Sequence, residues 1–184
     1  MERHTVAHVI GGTLARLGVD TVFGLAGSGN FVVTNALVAG GARYHSSRHE
    51  GGAVAMADGW ARTTGRPGVA SVHQGPGLTN TLTALSEAAK ARTPLLVLAG
   101  DTPARALRSN FRIDQHELVR AVGAVPERLY GADTAAADAA RALRRAQLER
   151  RPVVLMMPID LQPQLADLVE LDPGPVLAAP APAA

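Results

Sequence analysis

The amino-acid sequence predicts an α/β fold, a three-layer sandwich in which a parallel sheet lies between two layers of helices. Short apolar runs with strand character alternate along the chain with longer segments whose apolar residues recur at helical spacing. Strands joined through helices form right-handed crossovers and therefore a mainly parallel sheet. The 184 residues suffice for one such domain with a hydrophobic core and are too few for two ordinary domains.

The strands are predicted from apolar or β-branched runs bounded by glycine, proline or polar turn residues. In chain order they cover residues 21–24, 42–45, 68–73, 94–100, 127–130 and 152–157. The run 94–100 is apolar almost throughout, which is typical of a strand buried on both faces in the centre of a sheet. The run 127–130 is expected at an edge of the sheet.

The helices are predicted from apolar residues that fall on one side at a spacing of three and four residues. They cover residues 4–17, 31–39, 50–64, 78–91 and 115–122, and a last helix runs from Asp133 or Thr134 to about Arg150. Gly18 ends the first helix. Residues 102–114 carry no periodic pattern and are predicted to form a loop.

Composition excludes several classes of function. The chain has no cysteine, so disulfides, thiolate catalysis and cysteine-based zinc sites are excluded. Aromatic residues make up only 3% and the net charge is +2, which argues against nucleic-acid binding; the arginine-rich stretch 141–151 is interpreted as a solvated helix face. No apolar run approaches the roughly 20 residues that span a bilayer. A cytoplasmic protein without a membrane segment is the simplest expectation.

A change of composition near residue 172 suggests the domain organisation. Residues 1–171 are predicted to form the folded domain, and residues 172–184 are rich in proline and alanine. Such a segment has nothing to pack and is interpreted as a tail or a linker.

Three glycine-rich turns follow three predicted strands, at residues 24–30, 75–77 and 100–101. In an open α/β sheet ligands bind beyond the carboxyl ends of the strands, so these turns predict a binding site at one edge. Glycine there lets a ligand approach the backbone closely. The spacing of Gly24, Gly27 and Gly29 does not match the dinucleotide fingerprint, which makes that type of site a weak alternative.

Glu50 stands at the start of a predicted helix, in Arg48-His49-Glu50-Gly51-Gly52. A glutamate in a first helical turn is favoured by the helix dipole and needs no further explanation. The two glycines after it weaken the helix, by about 1 kcal/mol each relative to alanine. They suggest that something large passes close to the backbone beside the carboxylate.

Seven segments together resemble one known family: residues 23–28, 48–53, 56–62, 64–68, 75–80, 93–101 and 151–158. They are similar to the PYR domain, the N-terminal pyrimidine-binding domain, of thiamine-diphosphate enzymes of the acetolactate synthase and benzoylformate decarboxylase type. The resemblance covers residues 4–165, in order and at normal spacing. It implies the parallel-sheet sandwich of that domain, a thiamine diphosphate cofactor and a small 2-keto-acid substrate.

The resemblance also implies residues for the cofactor. Glu50 matches the family's glutamate, which hydrogen-bonds a ring nitrogen of the aminopyrimidine and so promotes loss of the thiazolium proton. Pro76 and Asn80 match positions that line the aminopyrimidine, and Leu25 lies where the first turn contacts the ring.

Two further positions resemble benzoylformate decarboxylase in particular. His73 matches an active-site histidine that exchanges protons with intermediates, a role that suits imidazole near neutral pH. Ser28 matches a serine that meets the substrate carboxylate, where acetolactate synthases tend to have glycine. Residues 111–115 are only weakly similar to a Phe-Gln-Glu motif of the synthases, and no role is assigned to them.

The family's second half, the PP domain, is expected outside these 184 residues. That domain binds Mg²⁺ and the diphosphate through Gly-Asp-Gly and a distant asparagine, and the sequence contains no such arrangement. We therefore expect no metal ligand in this chain, and an active site completed by a partner PP subunit, with a PYR–PYR homodimer at its core. The alternatives are a non-catalytic PYR-like scaffold or regulatory subunit, or one piece of a longer acetolactate-synthase-like enzyme.

Overall fold

The computed structural model of the protein describes residues 3–167. The strands are β1 (Arg3–Thr5), β2 (Thr21–Gly24), β3 (Arg43–Ser46), β4 (Gly68–Val72), β5 (Leu95–Asp101), β6 (Val125–Arg128), β7 (Pro152–Pro158) and β8 (Leu165–Asp167). The helices are α1 (Val6–Arg16), α2 (Phe31–Ala39), α3 (Glu50–Thr64), α4 (Pro76–Thr79), α5 (Leu82–Lys90), α6 (Gln115–Ala121) and α7 (Ala135–Glu149). The tail predicted at 172–184 lies outside the described residues, and the domain boundary at 171 stays a prediction.

A six-stranded sheet in the order β3-β2-β4-β5-β7-β6 forms the centre of the fold, and every neighbouring pair in it is parallel. Helices cover both of its faces, so the predicted three-layer α/β class is confirmed. The strand predicted as central, β5, is interior, and the strand predicted at an edge, β6, is the last in the order.

The two interior strands β5 and β7 divide their side chains between two cores because successive residues of a strand face opposite sides. Leu96, Leu98, Val153 and Leu155 belong to the core that packs against α1, α2 and α7. Their neighbours Leu95, Val97, Val154 and Met156 belong to the core on the other face, against α3 and α5. All these side chains are buried, which explains why both strands read as apolar runs.

Several element boundaries differ from the prediction. β1 and β8 pair as a small antiparallel sheet that was not predicted. The helix predicted over 78–91 is divided into α4 and α5, because the Thr81 hydroxyl donates to the Leu78 carbonyl at 2.6 Å and competes with the helical backbone there. β6 begins two residues earlier than predicted, and its Pro126 is tolerated since an edge strand has one unpaired side.

None of the helices within residues 3–167 is both long enough and apolar enough to cross a bilayer.

Candidate active site

The three glycine-rich turns that follow β2, β4 and β5 meet at the carboxyl edge of the sheet, as predicted. Contacts between them are direct: a Cβ atom added to Gly27 would lie 2.6 Å from His73 Cδ2, and one added to Gly100 would lie 2.9 Å from the Gly29 carbonyl oxygen. Gln74 packs its side chain between Gly29 and Gly100. These glycines therefore allow the turns to pack against one another and against protein side chains.

Glu50 and Asn80 form the first pair of predicted site residues that the fold brings together. Glu50 is the first residue of α3 and is 8% exposed. Asn80 follows α4, and its Nδ2 donates a hydrogen bond of 2.8 Å to Glu50 Oε2. A hydrogen bond to a carboxylate is worth about 1.5–3 kcal/mol. Asn80 therefore fixes one oxygen of the buried carboxyl group.

The backbone beside Glu50 is crowded by the protein itself, contrary to one prediction. A Cβ atom at Gly51 would lie 2.9 Å from the Asn80 carbonyl oxygen, and one at Gly52 would lie 2.9 Å from the Ser47 hydroxyl. These two glycines are explained by packing and do not themselves indicate a ligand. Gly77 is different, since a Cβ there would lie between His73 Cβ, at 2.9 Å, and Glu50 Oε1, at 3.4 Å.

Ser28 and His73 form the second pair. Ser28 Oγ lies 3.1 Å from His73 Nε2, and His73 Nδ1 lies 3.0 Å from the Gln74 carbonyl oxygen. A carbonyl oxygen can only accept, so Nδ1 carries a proton. In the neutral imidazole Nε2 then accepts the Ser28 hydroxyl proton. The histidine is half-buried and the serine is exposed, which leaves the pair accessible from solvent.

Gly77 connects the two pairs. His73 Cβ and Glu50 Oε1 both lie close to the position that its missing Cβ atom would occupy, at 2.9 Å and 3.4 Å. Pro76 precedes it as the first residue of α4 and is exposed. The Glu50–Asn80 pair and the Ser28–His73 pair thus meet at α4, since Glu50 and His73 both lie beside Gly77.

Leu25 lies in the first turn, and its neighbours hold that turn in place. The Leu25 carbonyl accepts from Asn30 Nδ2 at 3.2 Å, and Asn30 Oδ1 accepts from the Gly27 amide at 2.9 Å. Asn30 is fully buried and also donates to the Ser71 hydroxyl at 2.9 Å. Sequence reasoning treated Asn30 only as part of the turn; its position beside glycines, at the start of α2, was the available signal.

Gln115 is a second residue that sequence reasoning missed. Its side chain is buried, and Oε1 accepts from the Gly75 amide at 2.7 Å while Nε2 donates to the Gly100 carbonyl at 3.0 Å. It therefore ties the second turn to the end of β5. Gly75 has a left-handed φ of 60°, and a Cβ there would lie 2.6 Å from the Phe111 carbonyl oxygen. The weakly similar segment 111–115 thus braces the turn that begins α4.

Phe111 also reaches the second pair. Its ring centroid lies 4.9 Å from that of His73, a tilted aromatic contact. One loop therefore supports the imidazole from one side while the Gln74 carbonyl orients it from another. Contacts of this kind from neighbouring residues hold a reactive side chain in one geometry.

Asp101 ends β5 beside this brace. Burial raises the pKa of its carboxyl group above the usual value, and the Arg128 guanidinium, 3.2 Å away, opposes part of that rise. Within residues 3–167 no group of three or more histidine, aspartate or glutamate side chains could hold a metal ion.

Comparison with known proteins shows the family of the chain. Residues 4–121 match the model of the thiamine pyrophosphate enzyme N-terminal TPP-binding domain. The chain is 36% identical to the probable 2-ketoarginine decarboxylase AruI of Pseudomonas aeruginosa over 154 residues, which cover 80% of this chain and 28% of that protein. It is 32% identical to the sulfoacetaldehyde acetyltransferase of Rhodobacter capsulatus over 171 residues, 92% of this chain and 29% of that protein.

A third relative is the acetolactate synthase isozyme 2 large subunit of Escherichia coli, 41% identical over 87 residues, 47% of this chain and 16% of that protein. The chain spans less than a third of the length of these curated relatives. The matched region contains Glu50, Asn80, Ser28 and His73. The chain therefore belongs to the thiamine pyrophosphate enzymes, as the N-terminal TPP-binding, or PYR, domain of that family.

Proposed function

We propose that this chain is the PYR half of a thiamine-diphosphate-dependent enzyme that decarboxylates or ligates 2-keto acids, with Glu50 as its activating carboxyl group. The observation that carries the proposal is the pair formed by Glu50 and Asn80 beside Gly77. A buried carboxyl group with one oxygen fixed by a hydrogen bond is poorly explained as a solvated first-turn glutamate.

The residues present fit the aminopyrimidine of thiamine diphosphate. Glu50 supplies a buried carboxyl group for a ring nitrogen, and the exposed Pro76 and Asn80 supply a surface beside it. When bound, the cofactor supplies the electron sink that decarboxylation of a 2-keto acid requires. The contribution of Glu50 is to share a proton with that ring nitrogen, and the contribution of Asn80 is to keep Oε2 in place.

Ser28 and His73 act in this proposal as one proton-transfer unit. With a neutral imidazole the Ser28 hydroxyl donates to His73 Nε2 and is not available to a substrate carboxylate. When His73 is protonated, Nε2 becomes a donor and the hydroxyl proton is free to meet that carboxylate. Substrate binding and the protonation of His73 are therefore coupled, because the two side chains are 3.1 Å apart.

The diphosphate and Mg²⁺ are proposed to bind to a PP domain on a partner chain that completes the site at the carboxyl edge. The given sequence contains no Gly-Asp-Gly motif, so the proposal assigns the diphosphate and Mg²⁺ to residues other than these 184. A PYR–PYR homodimer is proposed as the core of that assembly. The competing arrangement is a PP domain on the same, longer polypeptide.

The test is to purify the protein from its native source with thiamine diphosphate and Mg²⁺ and to identify its companions by mass spectrometry. A stoichiometric companion with Gly-Asp-Gly and a downstream asparagine supports the split enzyme, whereas a longer polypeptide that contains both halves supports the competing arrangement. In either case the assembly is then assayed against a panel of 2-keto acids for release of carbon dioxide.

Glu50→Gln is the decisive variant in that assay. It keeps the shape of the side chain but replaces the ionisable carboxyl group with an amide that cannot act as an acid or a base, and we expect turnover to fall by about 10²–10⁴-fold. Glu117→Gln, at an exposed position on α6, is the matched control and should turn over like the unmodified protein. Equal activity of the two variants would contradict the catalytic proposal and favour the alternative of a PYR-like scaffold.

A further inference from the structure

A second concave site lies at the amino edge of the sheet, opposite the candidate active site. Its volume is about 370 Å³, and we call it the basic groove; it is lined by Ser86, Ala89, Lys90, Arg92, Ala121, Val122, Gly123 and Arg151. Arg92 precedes β5 and Arg151 precedes β7, two strands that pair from Leu95 and Pro152 onward. Because β5 and β7 are neighbours and begin at the same edge of the sheet, the two arginines that precede them lie at the same groove.

The charge of the lining has a single sign. Three cationic side chains, Lys90, Arg92 and Arg151, line the groove, and none of its lining residues is acidic. Arg151 donates to the Gly123 carbonyl at 2.9 Å, which holds its guanidinium at the groove. Over residues 3–167 the salt bridges involve other cations and none of these three.

Helix ends explain only part of this charge. α5 ends at Lys90 and α6 ends at Ala121, and each helix C-terminus carries about half a negative charge, which favours a cation nearby. Two helix ends thus supply roughly one negative charge against three positive ones. The groove keeps a surplus of about two positive charges, so an anion is attracted to it.

Backbone conformation marks Arg92 in particular. Arg92 and Arg150 are the two non-glycine residues with positive φ in the described part of the chain, at 53° and 49°. Glycine or asparagine would occupy this left-handed region with less strain. Each of them follows a helix, α5 or α7, where a left-handed residue commonly ends the helix. Arg92 lines the groove and Arg150 does not, so Arg150 provides a control for substitution at such a position.

We propose that the basic groove binds a small molecule that carries a phosphate or diphosphate group. Arginine forks pair with phosphate oxygens through two parallel hydrogen bonds, and Lys90 and the Ser86 hydroxyl supply further donors. The volume falls within the range of about 300–1,000 Å³ that small-molecule sites occupy. The site is separate from Glu50 and does not depend on the function proposed above.

The experiment is calorimetric titration of the purified chain with inorganic phosphate and with pyrophosphate at low ionic strength. We expect one binding event per chain, tighter for pyrophosphate. Arg92→Gly removes a charge and relieves the left-handed strain, so the variant should melt at the same or a higher temperature while its affinity falls at least tenfold. A loss of binding therefore cannot be attributed to a loss of folding.

Two matched controls distinguish binding at the groove from a general effect of the positive charge of the protein. Arg150→Gly makes the same change of residue at the other left-handed position outside the lining, and Arg16→Gln removes an exposed arginine from the last turn of α1. Both should change the affinity less than about twofold, a difference smaller than RT in free energy. An equal loss in all three variants would overturn the proposal, as would the absence of binding by both probes.

Vesicles of phosphatidylcholine with and without phosphatidic acid distinguish the source of the phosphate. Binding of the free anions together with indifference to the vesicles supports a soluble ligand, whereas binding of both through Arg92 supports a lipid-borne phosphate in the same groove. Binding of acidic vesicles alone, unaffected by Arg92→Gly, would overturn the proposal and indicate a diffuse electrostatic contact.

Discussion

Gln115 offers a sharp test of how the candidate active site is held together. Its amide group satisfies one backbone donor and one backbone acceptor, the Gly75 amide at 2.7 Å and the Gly100 carbonyl at 3.0 Å, and makes a longer bond of 3.4 Å to Asp101 Oδ1. Gln115→Met keeps the length and volume of the side chain and removes all three hydrogen bonds. Leaving a buried polar group unpaired costs about 1–3 kcal/mol. We expect the free energy of unfolding to fall by about 2–4 kcal/mol, since loop relaxation recovers part of the combined cost.

The assay is urea unfolding of the chain followed by circular dichroism, together with amide hydrogen exchange at Gly75. Loss of the Gln115 acceptor should speed hydrogen exchange at the Gly75 amide in particular under native conditions. A general loss of stability would instead speed exchange at many amides. Gln164→Met is the matched control, because Gln164 is exposed and bonds a single backbone carbonyl. A Gln115→Met variant that unfolds like the control and keeps Gly75 protected would refute the bracing role.

Two further predictions concern stability. Gly59→Ala, inside α3 with open space at its Cβ position, should raise the free energy of unfolding by about 0.5–1 kcal/mol. Gly68→Ala should lower the free energy of unfolding, because its Cβ atom would overlap the Ala57 carbonyl oxygen. Urea unfolding that ranks the two variants in the opposite order would contradict this packing. The raised pKa of Asp101 means that the folded chain holds this proton more tightly than the unfolded chain does. The contribution of Asp101 to stability therefore falls as the pH rises from the usual carboxyl pKa of 3.8 through the raised pKa of the folded chain. As the pH is raised from acid to neutral, Asp101→Asn should therefore gain stability relative to the unmodified chain, which is measured by unfolding curves across that range. If the unmodified chain gains stability relative to the variant, the ion pair with Arg128 outweighs the cost of burying the Asp101 carboxylate.

The strands that bury both faces could be predicted from the sequence because burial leaves a local signal. β5 and β7 have no solvent-facing side and are therefore apolar from end to end. β1 and β8 give no such signal, since each has three residues and the paired residues lie at least 160 positions apart in the chain. The pairing comes from tertiary contacts with α1, which a local pattern does not contain.

In the candidate site, too, some features could be predicted from the sequence and others could not. Family resemblance identified Glu50, Asn80, Ser28 and His73, but it did not show that they pair, because the partners lie 30 and 45 residues apart. Gln115 was not assigned a role because its two shortest hydrogen bonds are to backbone atoms of two turns that are remote in sequence. Backbone atoms are common to every residue, so no residue pattern marks them as partners.

The glycines at the carboxyl edge show why a turn motif alone is weak evidence for a ligand. Glycine was expected there to admit a ligand, yet the space beside Gly27 holds the His73 ring and the space beside Gly29 holds the Gln74 side chain. Close packing of the turns accounts for both residues. Gly77 differs, because a Cβ atom there would lie 3.4 Å from Glu50 Oε1, an oxygen of the carboxyl group proposed to exchange protons, as well as 2.9 Å from His73 Cβ. Glycine at this position therefore lets α4 pack against both Glu50 and His73, and it is the one of these three glycines that lies beside the proposed activating carboxyl group.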